Sequence, residues 1–434
     1  MHNECMGNRV NRILTAGIQR TVFSLEQFGR HEMANHAAAG AYGFLLSAGP
    51  ALLVILYLSS IAFGGRTIDL SSVDNVLKPY IGTLGDIPQL ASLTTRPLAG
   101  FAGVFGFINL IWTSRLFVLS IQRGIRVVYS DVAQANPIRE NILTFVAELI
   151  LLLSVIGIIA FASLADHFFR AIRSTPLNGL VSSAIPLTAR ILPLAILWLF
   201  VFLTYHGIPA RKPRYRIAAS CALLCTAFYL LIGSFLNMFL SIERYGLLYG
   251  VMGNLIVGLV KVYAFFWLYF FFAELSYTVE FFETLLFTRF HKLESARKAG
   301  LRLERSLFAE PQRLERHFAR YYKAGEYIFA RHETGQDAYY LYRGTVHIHL
   351  DDPPSCQAKS IINEGDFFGE LASILEEPRS AWAVAATDCV VFILPPALFK
   401  HFITNNAESS QHLLELMANR IKANDDFMRK SHTL

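Results

Sequence analysis

Long apolar runs alternate with short polar segments over the first two thirds of the chain. The first run, residues 37–63, contains no charged residue and includes Gly49-Pro50. An α-helix needs about 20 apolar residues to cross the hydrocarbon core of a bilayer. The pattern therefore predicts an α-helical polytopic membrane domain of six transmembrane helices. These cover residues 37–63, 97–121, 141–164, 183–205, 217–242 and 249–275.

The polar segments between the runs predict an orientation. Residues 1–36 carry four arginines and predict an amphipathic arm at the membrane interface. Lysine and arginine collect on this arm, around Arg123 and around Lys212, whereas the alternate loops carry fewer. Basic loops stay on the cytoplasmic side. We expect a multi-pass protein of the cytoplasmic (inner) membrane with both termini in the cytoplasm.

The spacing of hydrophobic residues changes after the last apolar run. Residues 277–323 predict a helical linker that is basic from residue 289, with ten basic against four acidic residues. Residues 327–329, 338–350 and 384–394 then alternate as β-strands do. A last helix over 407–428 could close over the roll, and the six residues after it leave no room for a winged helix-turn-helix. The predicted divisions are an arm at 1–36, a membrane domain at 37–276, a linker at 277–306 and a β-roll domain at 307–434.

Composition supports the membrane assignment. Hydrophobic residues make up 53% and charged residues 17% of the 434 positions, which is too apolar for a soluble protein of this length. The net charge of +6 then fits the cytoplasmic loop bias better than nucleic-acid binding. Five cysteines without a Cys-x-x-Cys pair predict free thiols and no metal site.

One stretch, residues 365–387, carries the residues that anion binding requires. Gly369 permits a close backbone approach, and residues 370–375 can form a short helix whose first N–H groups face an anion. Arg379 adds a fixed positive charge. Glu370 at the helix start can accept a hydrogen bond from a ribose hydroxyl.

This stretch resembles the phosphate-binding cassette of the cyclic nucleotide-binding domain family, of the catabolite-activator and kinase regulatory-subunit type. The resemblance implies a jelly-roll-like β-roll with flanking helices that binds cAMP or cGMP as a regulatory ligand, with no cofactor. A roll that keeps the fold and has lost its ligand is the alternative. The implied nucleotide-binding residues are Phe368, Gly369, Glu370, Leu371, Ala372, Pro378, Arg379, Ser380 and Ala381.

The apolar half resembles the YihY/virulence factor BrkB family of six-helix inner-membrane proteins. The similarity is carried by the segments 37–42, 47–50, 112–115 and 245–250. Where the family has Gly-Ala-Glu at the end of its last helix, this chain has Phe272-Ala273-Glu274. The resemblance implies a transport-like or envelope-related role, and a ribonuclease activity is not expected.

Ionisable residues within the predicted spans are the intrinsic candidates for function, because each is costly in a bilayer. They are Arg115, Glu148, Arg190 and Lys261. Arg115 and Glu148 lie at similar predicted depth and could pair, whereas Lys261 has no partner at its level and is expected to face a wet cavity. Structural contacts between helices are an equal alternative to a substrate path.

Several rival functions lack their sequence requirements. The run His347-Ile348-His349 imitates a metal motif without its closing histidine, and no catalytic constellation is found. A cyclic nucleotide-gated channel would need a selectivity filter and a voltage-sensing helix that are not found, although it remains an alternative beside a membrane scaffold with a vestigial pocket. The expected partners are a cyclic nucleotide and the lipid bilayer, with no nucleic acid, and a homo-oligomer is compatible.

Overall fold

The computed structural model describes most of both halves of the chain. Described are residues 2–62, 99–129, 178–209, 211–239, 251–295, 312–350 and 358–405, with the single positions 138, 142, 146, 308, 353 and 411. The chain divides into two compact units. Residues 20–280 form one unit, and residues 1–19 with 281–434 form the other.

The first half of the chain is helical wherever it forms regular structure in the described part. Its helices are α1 His2–Arg30, α2 Met33–Ala62, α3 Ala99–Val128, α4 Asn178–Gly207, α5 Tyr215–Phe239 and α6 Val251–Glu280. Helices α2 to α6 overlap five of the predicted spans. The predicted span 141–164 lies outside the described residues apart from positions 142 and 146, which are helical.

Two helical segments of the described part are long and apolar enough to cross a membrane. They are Tyr215–Leu236 in α5 and Ile256–Glu280 in α6. The presence of six transmembrane spans therefore remains a prediction.

Glycines let the helices of this unit approach closely. Helix α2 packs along α3 and against α6. A Cβ atom added at Gly43 would lie 2.8 Å from the Cα atom of Phe117 on α3, and one added at Gly40 would lie 2.9 Å from the ring of Phe266 on α6. Small residues at helix contacts are typical of membrane bundles, where close packing and not hydrophobic exclusion holds helices together.

Helix α5 leaves a broad apolar face without cover in the described part of the chain. Leu223, Leu231, Phe235 and Met238 are between 59% and 72% exposed. An exposed apolar face of this length is costly in water.

The described part of the second half is an antiparallel β-roll with four helices. Its elements are α7 Phe282–Ser295, α8 Gln312–Phe318, β1 Ala319–Tyr322, β2 Tyr327–Phe329, β3 Ala338–Arg343, β4 Val346–His349, β5 Ser360–Ile362, β6 Phe367–Phe368, α9 Glu370–Leu375, β7 Trp382–Ala385, β8 Cys389–Leu394 and α10 Pro396–Asn405. The strands form two four-stranded sheets, in the orders β1-β8-β3-β6 and β2-β7-β4-β5. The core between the sheets includes Leu341, Val346, Ala383 and Val391, all fully buried.

The outer face of one sheet is buried as well, because helices cover it. Four consecutive residues of β3, Ala338–Leu341, are buried, although alternate residues of a strand point to opposite faces. Phe287 of α7 packs edge-on against Tyr340 of β3 and against Phe402 of α10. Helix α7, part of the predicted linker, is thus an integral layer of the roll unit.

The strand predictions need three corrections. Residues 319–322, predicted as helical linker, form β1, because pairing with β8 and burial of Tyr322 outweigh the local pattern. The run 338–350 is two strands separated by a turn at Gly344, whose φ is +99°. The run 384–394 is likewise divided into β7 and β8.

The sequence does not predict strands β5 and β6, because three and two residues are too few to show an alternation of apolar and polar positions.

Candidate cyclic nucleotide site

The candidate site is built at the junction of β6 and α9. Gly369 follows β6 with φ +67° and ψ +8°, and this left-handed conformation turns the chain into α9, which covers the predicted residues 370–375. A Cβ atom at Gly369 would lie 2.8 Å from Nη1 of Arg379 and 3.0 Å from the ring of Tyr339. The absence of a side chain at Gly369 therefore allows the arginine to reach the backbone.

Arg379 is buried, with 2% of its surface exposed, and four groups hold its guanidinium. Nη1 donates to the carbonyl oxygen of Gly369 and Nη2 to that of Asp337, each at 2.8 Å. The guanidinium carbon lies 4.6 Å from the ring centroid of Phe329 and 5.1 Å from that of Tyr339. A guanidinium has five N–H donors. The remaining donors have no partner among the described residues and suit a phosphate group.

The backbone of Arg379 is also bonded. Its N–H donates to the carbonyl of Glu333 at 3.1 Å, and its carbonyl accepts from the N–H of His332 at 2.8 Å. These bonds join the arginine to the loop between β2 and β3. The charge is therefore positioned before any ligand arrives, which lowers the entropy lost on binding.

Glu370 is the first residue of α9 and is buried to the same extent as Arg379. The two charged side chains thus lie inside the roll, one at the start of α9 and the other in contact with the glycine before it. Burial raises the pKa of the Tyr339 phenol, and the nearby positive charge of Arg379 opposes that shift. Tyr339 is therefore neutral at physiological pH and acts as an apolar, π-bearing wall.

The other predicted site residues differ in exposure. Phe368 and Ala372 are buried, and Phe368 stacks on Tyr339 at 5.2 Å. The exposed members are Leu371, Pro378 and Ser380, and the half-buried members are Gly369 and Ala381.

Sequence reasoning missed the residues that surround the guanidinium. Phe329, Asp337 and Tyr339 lie 40 to 50 positions before Arg379, outside the motif. The sequence feature that could have indicated them is that Phe329 and Tyr339 are aromatic residues on the predicted strands. Their convergence on one cation could not be inferred from spacing.

The ionisable residues of the helical half are only partly described. Arg115 on α3 is exposed. Lys261 on α6 is 5% exposed and has no polar partner among the described residues. Glu148 and the side chain of Arg190 lie outside the described part, so the pairing of Arg115 with Glu148 stays a prediction.

The histidine run lies on a strand of the roll. His347 and His349 occupy one face of β4, with ring centroids 6.2 Å apart. Within the described ranges, no group of three or more His, Cys, Asp or Glu side chains is arranged to hold a metal ion.

The geometry and the sequence comparisons together define the class of protein. An antiparallel roll with a buried arginine beside the start of a short helix is a cyclic nucleotide-binding domain, and here it is joined to a helical membrane domain. The chain belongs to the Virulence factor BrkB family, whose model matches residues 24–286, more than half of the chain. The model of the cyclic nucleotide-binding domain matches residues 319–406.

Two curated relatives are similar to about a fifth of this chain. The cAMP-dependent protein kinase regulatory subunit of Eremothecium gossypii is 34% identical over 83 residues, which are 19% of this chain and 17% of the relative. The cAMP-activated global transcriptional regulator CRP of Salmonella typhimurium is 31% identical over 96 residues, 22% of this chain and 46% of the relative. The chain thus spans less than half the length of these relatives.

Solved structures match the same region. A kinase regulatory-subunit domain with bound Sp-2Cl-cAMPS is 26% identical, with a TM-score of 0.22 over 25% of this chain and 70% of that one. The Thermus thermophilus catabolite activator protein is 24% identical, with a TM-score of 0.25 over 32% of this chain and 61% of that one. Both TM-scores are low, so the assignment depends on the family models.

Proposed function

We propose that this chain is a transport-like or envelope-related inner-membrane protein whose state is regulated by cAMP or cGMP. The observation that carries the proposal is the buried Arg379, with free N–H donors beside the start of α9. Arg379 and the first amides of α9 would bind the cyclic phosphate, and Glu370 would accept a hydrogen bond from the ribose. The alternative of a vestigial roll is less well supported, because the arginine and the glutamate of the motif are both present and both buried.

The membrane part of the proposal has six spans with both termini in the cytoplasm. It is supported by the membrane family, by the two candidate spans in α5 and α6, and by the exposed apolar face of α5. A cytoplasmic roll would meet cyclic nucleotides where they act as messengers.

A lid over the ligand is part of the same proposal. Helix α9 presents Leu371, Ile374 and Leu375 to solvent, between 40% and 58% exposed. These positions share one face of a helix, being three and four residues apart. The predicted helix 407–428, which lies outside the described residues apart from position 411, has the apolar residues to cover that face when nucleotide binds.

Calorimetric titration of the purified full-length protein with cAMP and cGMP tests the proposal. Hydrogen bonds to a charged group contribute about 1.5–3 kcal/mol, so Arg379→Ala is expected to weaken binding by about 10- to 100-fold. Arg331→Ala is the matched control, because Arg331 is an exposed arginine of the same roll that donates to the carbonyl of Leu350. It should bind as the wild type does.

Two results would contradict the proposal. One is equal binding by the wild type and a folded Arg379→Ala variant, and the other is no binding of either nucleotide by folded wild-type protein. Because Arg379 is buried, thermal unfolding of each variant is measured in parallel. Arg379→Lys keeps the charge and loses the paired donors, so it should bind between the wild type and Arg379→Ala.

A further inference from the structure

A hydrogen-bonded histidine–glutamate pair joins the turn between α1 and α2 to the end of α6. The N–H of His31 still donates to the carbonyl of Gln27 at 2.8 Å, so the last turn of α1 extends to His31. Glu32 then adopts φ +52°, which ends the helix. This geometry directs His31 towards α6, where its Nδ1 lies 2.6 Å from Oε1 of Glu274.

The two partners differ in their access to solvent. The side chain of Glu274 is fully buried, whereas 18% of the His31 side chain is exposed. The imidazole of His31 is therefore both the hydrogen-bond partner of the Glu274 carboxyl group and its link to the protein surface. A carboxylate without water contact is costly unless a charge or proton compensates it.

Three buried oxygen atoms around this pair have no hydrogen-bond partner within the described ranges. They are Oε2 of Glu274, Oγ1 of Thr278 and Oε1 of Gln27. Thr278 lies one turn after Glu274 on α6, and Gln27 one turn before His31 on α1, so each shares a helix face with a member of the pair.

Thr278 differs from other buried hydroxyl residues of the same unit. Many of these donate to a carbonyl of their own helix three or four residues earlier, as serine and threonine do in apolar surroundings. The examples are Ser24, Ser47, Ser120, Thr204 and Thr226. Thr278 makes no such bond among the described residues.

The set of atoms matches a protonated carboxyl group. A carboxylate only accepts hydrogen bonds, whereas a carboxylic acid accepts with one oxygen and donates with the other. In Glu274 one oxygen faces Nδ1 of the imidazole, and the other is buried without a hydrogen-bond partner among the described residues. A proton on that second oxygen would remove a buried negative charge, which is costly away from water.

We propose that His31 and Glu274 form a reversible proton-binding site of the membrane unit. The carboxylate takes up one proton from solvent and becomes a neutral carboxylic acid, and the partly exposed imidazole of His31 relays the proton in and out. No other bond is formed or broken. The site goes beyond the nucleotide response and depends on the membrane unit alone.

Among the other carboxylates that interact with groups around the pair, Glu32 is exposed and the side chain of Glu280 is 16% exposed, whereas Glu274 is fully buried. Glu274 interacts electrostatically with the phenols of Tyr129 and Tyr277, and His31 interacts with His36 on α2. His36 in turn interacts with Glu32 and Arg123, and Tyr277 with Arg211. These charged and aromatic groups determine the electrostatic potential at the site.

Infrared difference spectroscopy of the full-length protein in lipid nanodiscs, between acid and alkaline buffers, tests the proposal. The wild type should show the C=O band of a buried carboxylic acid that appears on acidification. Glu274→Gln should lose this band, and Glu274→Asp should shift it. Glu280→Gln is the matched control on the same helix, because Glu280 is partly exposed and pairs with Arg214, and it should keep the band.

The relay is tested by a pH jump. His31→Gln should delay the appearance of the band while leaving its size unchanged. The proposal is overturned if Glu274→Gln and Glu274→Asp both leave the band as in the wild type, or if the band responds to added sodium ions and not to pH, which would indicate a cation site. If Glu274→Gln does not fold, Glu274→Asp decides the assignment.

Discussion

At the scale of single residues, Arg379 combines a charge with rigidity. Two backbone carbonyls, two aromatic rings and two backbone hydrogen bonds restrain it, so the guanidinium cannot adopt many rotamers. Lysine has one point charge and no planar fork, and it could not satisfy both carbonyls in the same way. The glycine that accepts one of these bonds is as important as the arginine, because it decides how closely the two can approach.

The close approach at Gly369 leads to a paired prediction. Gly369→Ala should strain the left-handed backbone by about 1–2 kcal/mol and push the methyl group against Nη1 of Arg379. Gly325→Ala should produce only the strain, since Gly325 has φ +85° and an added Cβ meets no described atom within 4 Å. Thermal unfolding and nucleotide titration of both variants measure the difference.

We expect Gly369→Ala to lose nucleotide binding and Gly325→Ala to retain it with a smaller loss of stability. Equal affinity in the two variants would mean that the contact between residue 369 and the arginine is unimportant for the ligand.

At the scale of elements, glycines set the distances between helices of the membrane unit. Gly43 lies where the backbones of α2 and α3 approach, and Gly40 lies under a ring of α6. Adding side-chain volume to a packed contact costs about 1–3 kcal/mol. The helices thus depend on particular small residues as well as on apolar surface.

A second pair of variants tests this dependence. Gly43→Ala should lower the thermal stability of the detergent-solubilised protein, because its methyl group would lie 2.8 Å from backbone atoms of Phe117. Gly258→Ala on α6 should leave stability unchanged or raise it by about 0.5–1 kcal/mol, since alanine is the better helix former and an added Cβ meets no described atom. If both variants melt alike, helix spacing is not set at Gly43.

At the scale of the whole molecule, chain connectivity offers a route between ligand and membrane. Helix α7 follows α6 with only Phe281 between them, and Phe281 stacks on His401 of α10 at 4.7 Å. Phe287 and His291 of α7 pack on Phe367 of β6, which is followed by Phe368 and the glycine of the site. A shift of α9 or α10 on ligand binding would therefore act on α7, and α7 is covalently continuous with α6. A ligand can shift such an equilibrium only by its difference in affinity for the two states.

Limited proteolysis measures this coupling. The chain from residue 289 to 323 contains ten basic residues, which are trypsin sites. Saturating nucleotide should change the rate of cleavage there in the wild type and in Arg331→Ala but not in Arg379→Ala. Identical cleavage of the wild type with and without bound nucleotide would remove the linker from the mechanism.

Short-range pattern alone determined much of this protein. The apolar runs indicated the helices, and the motif indicated α9 at residues 370–375 with Gly369, Glu370 and Arg379, because such features depend on residues within a few positions of one another. The family comparisons confirmed both resemblances.

Only the tertiary structure decided which distant residues meet. Asp337 reaches Arg379 across 42 positions, and His31 reaches Glu274 across 243. It also decided that residues 319–322 form a strand and that β3 is buried on both faces. The physical reason is that these features depend on pairing and packing between segments far apart in the chain, which a local pattern of polar and apolar residues does not specify.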